Sequence, residues 1–234
     1  MKYLIFDAGP IISLTLNGML PVIEKLKEVF DGEFILTPAV KREVVDRPMK
    51  IKKFKLEALQ VTDMISRGVF KMSGDVISNQ KLDKEMKKIK KSANGVLRTT
   101  ERKEKIAIIH DGEIACLAFA SLCGCENAIV IDERTTRMLT EAPHNLEEMM
   151  ERKLHTPLDA ELSLLESFKK FRFIRSAELL YVAWKKDLIL NVASGKRDKE
   201  LLDALLYGVK FKGCAISSVE IEEMKKMAVA GNKK

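Results

Sequence analysis

Four cysteines in 234 residues are too few and too scattered to staple a fold. Cys116, Cys123, Cys125 and Cys214 share no framework spacing, so the chain reads as one kept reduced, and a cytoplasmic location is expected. Cys116 and Cys123 fall seven apart on an apolar stretch and read as core. A zinc site built on Cys123-x-Cys125 with Cys116, Cys214 or His110 lacks the spacing of a knuckle or ribbon. Glutamine occurs only at positions 60 and 80 while Lys and Glu abound, a bias like that of thermophiles. No apolar run is long enough to cross a bilayer, the longest being residues 114–123, so no membrane partner is expected. The opening MKYLIFDAGP is apolar only briefly and stops at Asp7, which argues against a secretory signal.

What is present suits a globular chain: 46% hydrophobic and 32% charged residues. Lys and Arg number 41 against 34 Asp and Glu, a net +7. The charge is unevenly placed. Residues 47–105 hold 17 basic and 7 acidic residues, a net +10, so the remainder is −3. That segment carries Phe54 and Phe70 but no run of aromatics for base stacking.

Residues 3–6, 34–37 and 128–131 are short and apolar all round, the pattern of strands buried on both faces. Residues 171–174 read as a further strand. Helices are expected over 11–16, 21–30, 38–45, 114–122, 134–141 and 177–185. The basic segment shows helical stripes at Phe54, Ala58, Val61 and Ile65, ended by Arg67-Gly68, and at Leu82, Met86 and Ile89. Residues 92–104 have weak periodicity, and residues 143–170 read as helical with loops. Ser217 and Glu220 form a capping box for the last helix. Buried strands alternating with helices imply an α/β fold, a three-layer α/β/α sandwich around a parallel sheet of four to five strands. The expected organisation is one domain over residues 1–234, with a basic helical insertion at 49–105 and a C-terminal helical extension at 190–234.

Ligands of such sheets bind beyond the carboxyl ends of the strands. Asp7 ends the first strand and Asp132 the third; Glu43 lies on the helix after the second, and Glu113 opens the helix leading into the third. Each has a plainer role taken singly. Asp7 and Asp132 suit strand-end turns, Glu43 a solvated surface, Asp111 an N-cap, and Glu113 a helix dipole. Together, four carboxylates gathered at one sheet end need a compensating cation. All-oxygen ligands suit Mg²⁺ or Mn²⁺, which can activate water against a phosphodiester.

The ordered set resembles the PIN-domain nucleases, in particular the longer prokaryotic type seen widely in archaea. The carrying residues are Leu4-Ile5-Phe6-Asp7-Ala8-Gly9, then Thr37-Pro38-Ala39-Val40-Lys41-Arg42-Glu43, then Gly112-Glu113-Ile114-Ala115, then Ile129-Val130-Ile131-Asp132. The resemblance runs to about residue 230, interrupted by the basic insertion. It implies a metal-dependent endoribonuclease of single-stranded RNA in which Asp7, Glu43, Glu113 and Asp132 bind Mg²⁺ or Mn²⁺. It also implies supporting roles for Ser13 and Ser176, and Asp111 is either a fifth acid or a cap. PIN-like proteins often form homodimers; the compact toxin branch also has antitoxin partners, for which nothing in this longer sequence speaks.

The lysines at 84, 87, 88, 90 and 91 are candidate RNA-binding residues, namely Lys84, Lys87, Lys88, Lys90 and Lys91. Their plainer reading is the solvated face of an amphipathic helix. Two rival functions remain open: a catalytically silent nucleic-acid-binding or assembly module on the same fold, and a phosphatase with Asp7 as nucleophile. The second usually has another acid two residues on, where this chain has Gly9.

Overall fold

The computed structural model describes residues 2–124, 126–189 and 199–230. Tyr3–Phe6 (β1) leads into helices Ala8–Leu16 (α1) and Leu20–Val29 (α2), then Glu33–Leu36 (β2). Pro38–Lys41 (α3) continues as a π-helical turn over Arg42–Asp46, followed by two 3-10 turns, Lys55–Ser66 (α4) and Phe70–Met72 (β3). Asn79–Ala93 (α5), Leu97–Thr99 (β4), Asp111–Leu122 (α6) and Asn127–Val130 (β5) follow. The rest comprises Arg134–Glu141 (α7), Leu146–Leu154 (α8), Leu158–Ala160 (β6), a 3-10 stretch, Phe173–Ile174 (β7), Ser176–Lys185 (α9), Lys199–Lys210 (α10) and Ser218–Ala230 (α11).

Five strands form one parallel sheet in the order β3-β2-β1-β5-β7. Ile5 registers with Ile35 on one side and Ile129 on the other. Helices cover the sheet as a three-layer α/β/α sandwich. On one side α9 packs on α1, α2 and α10, and α1 on α2; α6 lies against β1 and β5 and packs on α3 and α5. The central strands are sealed on both faces, with Ile5, Phe6, Ile35, Leu36 and Val130 wholly buried. This is why they lack a two-residue alternation in sequence.

Short strands inside two stretches depart from the expectation. Residues 49–105 were expected to be helical, yet they supply β3 to the main sheet and β4 to a small antiparallel pair with β6. Gly68, at φ 75°, closes α4 and turns the chain into β3. Phe70 then packs its ring 5.2 Å from Phe6, and Phe6 lies 5.1 Å from Phe34, so one aromatic cluster ties three strands together. β6 likewise falls in residues 143–170, expected to be helices and loops. The Ser217–Glu220 capping box is present in both directions, Glu220 Oε2 accepting from Ser217 N at 2.8 Å and Ser217 Oγ from Glu220 N at 3.1 Å. Residues 190–198 of the C-terminal extension, and Cys125, lie outside the described residues. Among the described residues no helix is long and apolar enough to cross a membrane.

The strand order fixes where a ligand site can form. The chain steps from β1 to β2 to β3 in one direction, then returns to place β5 and β7 on the other side of β1. The switch point lies between β1 and β5, and in sheets of this kind ligands bind beyond the carboxyl ends at that point.

Candidate functional site

Asp7 and Asp132 follow the two strands that flank the switch point. The Asp7 backbone N–H donates to Val130 O at 3.0 Å, holding the end of β1 against β5. Gly9 sits between the two acids: a Cβ there would lie 3.7 Å from Asp7 Oδ2 and 3.9 Å from the Asp132 Cβ.

Glu43 arrives from β2. Thr37 Oγ1 accepts from Val40 N at 3.3 Å, and Pro38 starts the helix where no backbone donor is needed. The helix then widens into the π turn that carries Glu43, a distortion common at functional sites. The first turn of α6 closes the arrangement. A Cβ on Gly112 would come 3.0 Å from Glu43 Oε1 and 3.3 Å from Asp7 Oδ1. Oxygens of two carboxylates from separate parts of the chain therefore converge over the bare backbone of Gly112.

Asp7 is buried, and its carboxyl is pushed up to about 7 by that burial, then by the charges of Glu113 and Glu43; backbone N–H groups of Ala8 and Gly9 only partly oppose this. The strongest charges acting on it are thus both negative, the electrostatic setting that favours a bound cation.

Glu113 is buried beside this pair but engaged. Its Oε2 accepts from His110 N at 2.7 Å and its Oε1 from the Thr136 hydroxyl. Burial raises its carboxyl above the ordinary range, while these two donors pull it back. Asp132 is engaged more fully. Its Oδ1 accepts from Ser176 N at 2.8 Å and Ser176 Oγ at 2.9 Å, its Oδ2 lies 2.8 Å from the same hydroxyl, and the Cys214 thiol adds a further hydrogen bond. Burial raises this carboxyl, with Ser176 opposing. The Cys214 thiol is pushed up to about 12 by burial and then by Asp132.

The structure therefore brings Asp7 and Glu43 together, sets Glu113 within electrostatic reach, and turns Asp132 toward the first turn of α9. Among the described residues, no three His, Cys, Asp or Glu side chains close on one metal position. Asp111 stands apart from the four, exposed and 3.1 Å from Lys90 Nζ; the N-cap of α6 is His110. Ser176 has the acidic partner expected of a supporting hydroxyl. Ser13 is buried on α1 with no hydrogen-bond partner for its Oγ among the described residues. Thr136 was not among the expected site residues, and Cys214 was weighed there only as a zinc ligand; Thr136 lies on α7, the helix that follows Asp132, which is the one signal that could have found it. Cys116 donates to Phe6 O at 3.5 Å, in keeping with a core residue.

The five candidate lysines on α5, Lys84, Lys87, Lys88, Lys90 and Lys91, are all exposed. Lys88 pairs with Glu85 at 2.9 Å, and Lys90 reaches Asp111 beside Gly112, which links the basic helix to the rim of the carboxylate site.

Compared with protein-family models, with curated proteins and with solved structures, the chain matches none. The resemblance to PIN-like nucleases thus rests on the four acidic segments alone.

Proposed function

We propose that the protein is a metal-dependent endoribonuclease acting on single-stranded RNA. The observation that carries this reading is the convergence of Asp7 Oδ1 and Glu43 Oε1 over Gly112, at the switch point of a parallel sheet. Mg²⁺ is commonly held by one or two carboxylates, with water and phosphate oxygens completing its shell, so this pair fits a Mg²⁺ or Mn²⁺ ion without a four-carboxylate cage. Bound there, the ion would activate water and offset charge developing on the phosphodiester.

The chain's own groups have separable roles. Asp7 and Glu43 hold the cation and, with it, orient the phosphate. Glu113 adds negative potential while its hydrogen bonds fix the start of α6. Asp132 fixes the start of α9 through Ser176. Lys84, Lys87 and Lys91, exposed on α5, attract the RNA backbone toward the rim marked by Lys90. Water adds at phosphorus as the bond to the ribose leaving oxygen breaks, and that oxygen gains a proton.

The test is cleavage of end-labelled single-stranded RNA. Cleavage is expected with Mn²⁺ or Mg²⁺, none with EDTA, and none in Asp7→Asn. A second reading, a silent RNA-binding module, is favoured by the saturation of Asp132 by Ser176. Metal titration by calorimetry separates the two: heat that disappears in Asp7→Asn supports the enzyme, and no heat in the intact protein ends that reading.

A further inference from the structure

The edge of the sheet that carries the carboxylate pair also carries a polar hollow of about 550 Å³. The strands run parallel, so the residues that follow them gather at one edge. Glu43 and Asp7 follow β2 and β1, whereas Arg134 and Arg175 follow β5 and β7. The strand order therefore sets the two pairs side by side, acids on one half of the edge and arginines on the other. Neighbouring strands lie about 4.8 Å apart, so a short stretch of RNA can reach from one pair to the other.

Arg134, Arg137 and Arg175 line this hollow together with Glu141, Asn145 and Glu220. The side chains of Arg137 and Arg175 are only 12% and 13% exposed. Both donate to Ala215 O, at 3.1 and 3.2 Å, which fixes them in the wall. The acids of the wall are already engaged: Glu141 pairs with Arg137 at 3.1 Å and Glu220 with Arg175 at 2.7 Å. Glu178 gives Arg175 a second carboxylate. Arg134 differs. It is exposed at the start of α7, and its guanidinium has neither an acid nor a hydrogen-bond acceptor among the described residues. The side-chain amide of Asn145 is likewise unengaged among them. The hollow thus offers one uncommitted fork of N–H donors beside two fixed guanidinium groups. Such a fork meets the oxygens of a phosphate in pairs. The acids in the wall oppose a doubly charged group, so a singly charged phosphodiester suits the hollow better than a terminal phosphate.

We infer that this hollow holds a backbone phosphodiester of single-stranded RNA, with Arg134 as the residue that grips it. Its service to cleavage at Asp7 and Glu43 rests on the ribonuclease reading; RNA binding itself does not. The test is titration of the ¹⁵N-labelled full chain, in EDTA, with a short oligouridine carrying or lacking a 5′-phosphate. Amides of residues 134–137, 145 and 215–217 should shift, and the two oligomers should bind alike. Arg134→Ala, whose circular dichroism should be unchanged, is expected to weaken both by about tenfold. Its plot of log affinity against log salt should be flatter by about 0.7, the loss of one phosphate contact on a single strand. Arg134→Lys, which keeps the charge without the fork, should restore the slope and part of the affinity. Absent binding, shifts confined to α5, or an unchanged slope in Arg134→Ala would overturn the assignment. A tenfold preference for the 5′-phosphorylated oligomer would also overturn it, in favour of a terminal phosphate. Arg134-dependent binding without RNA cleavage would leave the hollow standing and end the ribonuclease reading. Cleavage that Arg134→Ala leaves unchanged would do the reverse.

Discussion

Asp7 and Asp132 occupy equivalent places on adjacent strands, yet they are wired in opposite ways. Both follow apolar parallel strands, both are buried, and burial is the main force raising both carboxyls. Asp132 faces hydrogen-bond donors: Ser176 serves both its oxygens and Cys214 adds another. Asp7 faces acids, with Glu43 and Glu113 raising its carboxyl further. A buried carboxylate supplied with donors anchors structure. One surrounded by like charge is left with two ways to settle, a proton or a cation. The same position in the sheet thus yields a donor-saturated anchor on one strand and a carboxyl crowded by other acids on its neighbour.

The comparison is broken most severely by removing Asp7. Under the ribonuclease reading, Asp7→Asn should reduce metal-dependent RNA cleavage by about a thousandfold or more, equivalent to roughly 4 kcal/mol of barrier. Activity close to the unaltered protein would show that Asp7 is as structural as Asp132.

A second effect concerns pH. The Asp7 carboxyl stands at about 7 in the fold against an ordinary 3.8, so folding favours the protonated form. Its contribution is full below about pH 4 and is lost as pH rises toward 7, on the order of 4 kcal/mol. In EDTA, urea unfolding should show stability falling across that window, with a smaller fall in Asp7→Asn. Mg²⁺ should raise stability at pH 8 and do little at pH 4. A flat profile in the intact protein would mean that Asp7 is not strained by its acidic neighbours.

The anchor can be probed in turn. Ser176→Ala removes the hydroxyl that serves both oxygens of Asp132 and should cost about 1–3 kcal/mol at neutral pH, read by the same unfolding method. Metal affinity should change little. A large loss of metal affinity in this variant would draw Asp132 into the cation site and erase the distinction between the two acids.

Gly112→Ala sharpens the comparison from the other side. Alanine favours a helix by up to about 1 kcal/mol over glycine, but its Cβ would meet Glu43 Oε1 at 3.0 Å and Asp7 Oδ1 at 3.3 Å. Unchanged folding stability with about tenfold weaker metal binding by calorimetry is the expected result. The smallest effect belongs to the lysines. Reversing the charge of Lys84, Lys87 and Lys91 should weaken RNA binding modestly and flatten its dependence on salt. An unchanged slope would return them to an ordinary solvated face.

Much of the fold was legible because it rests on burial. β1 has the expected bounds, β2 and β5 fall within a residue of theirs, and α7 runs over the expected residues 134–141. β3, β4 and β6 were not legible. Each has three residues, too few to show a period, and each is defined by a partner elsewhere: β3 by β2, and β4 by β6 some sixty positions away. The acids at Asp7 and Asp132 were visible because apolar strands that end in carboxylates stand out. Asp111 misled, since an acid before a helix looks like a cap; the cap lies one residue earlier and Asp111 turns outward to Lys90.

The sequence by itself determined a parallel sheet and the end of it at which carboxylates would gather, because burial on both faces leaves its mark on every residue of a strand. Only the tertiary structure decided which of those carboxylates would meet one another and which would meet donors. A carboxyl's partners are set by contacts a few ångströms long between segments far apart in the chain, such as Glu43 with Asp7 over Gly112 and Asp132 with Ser176. No local pattern records those distances, and they separate the candidate metal ligand from the structural anchor.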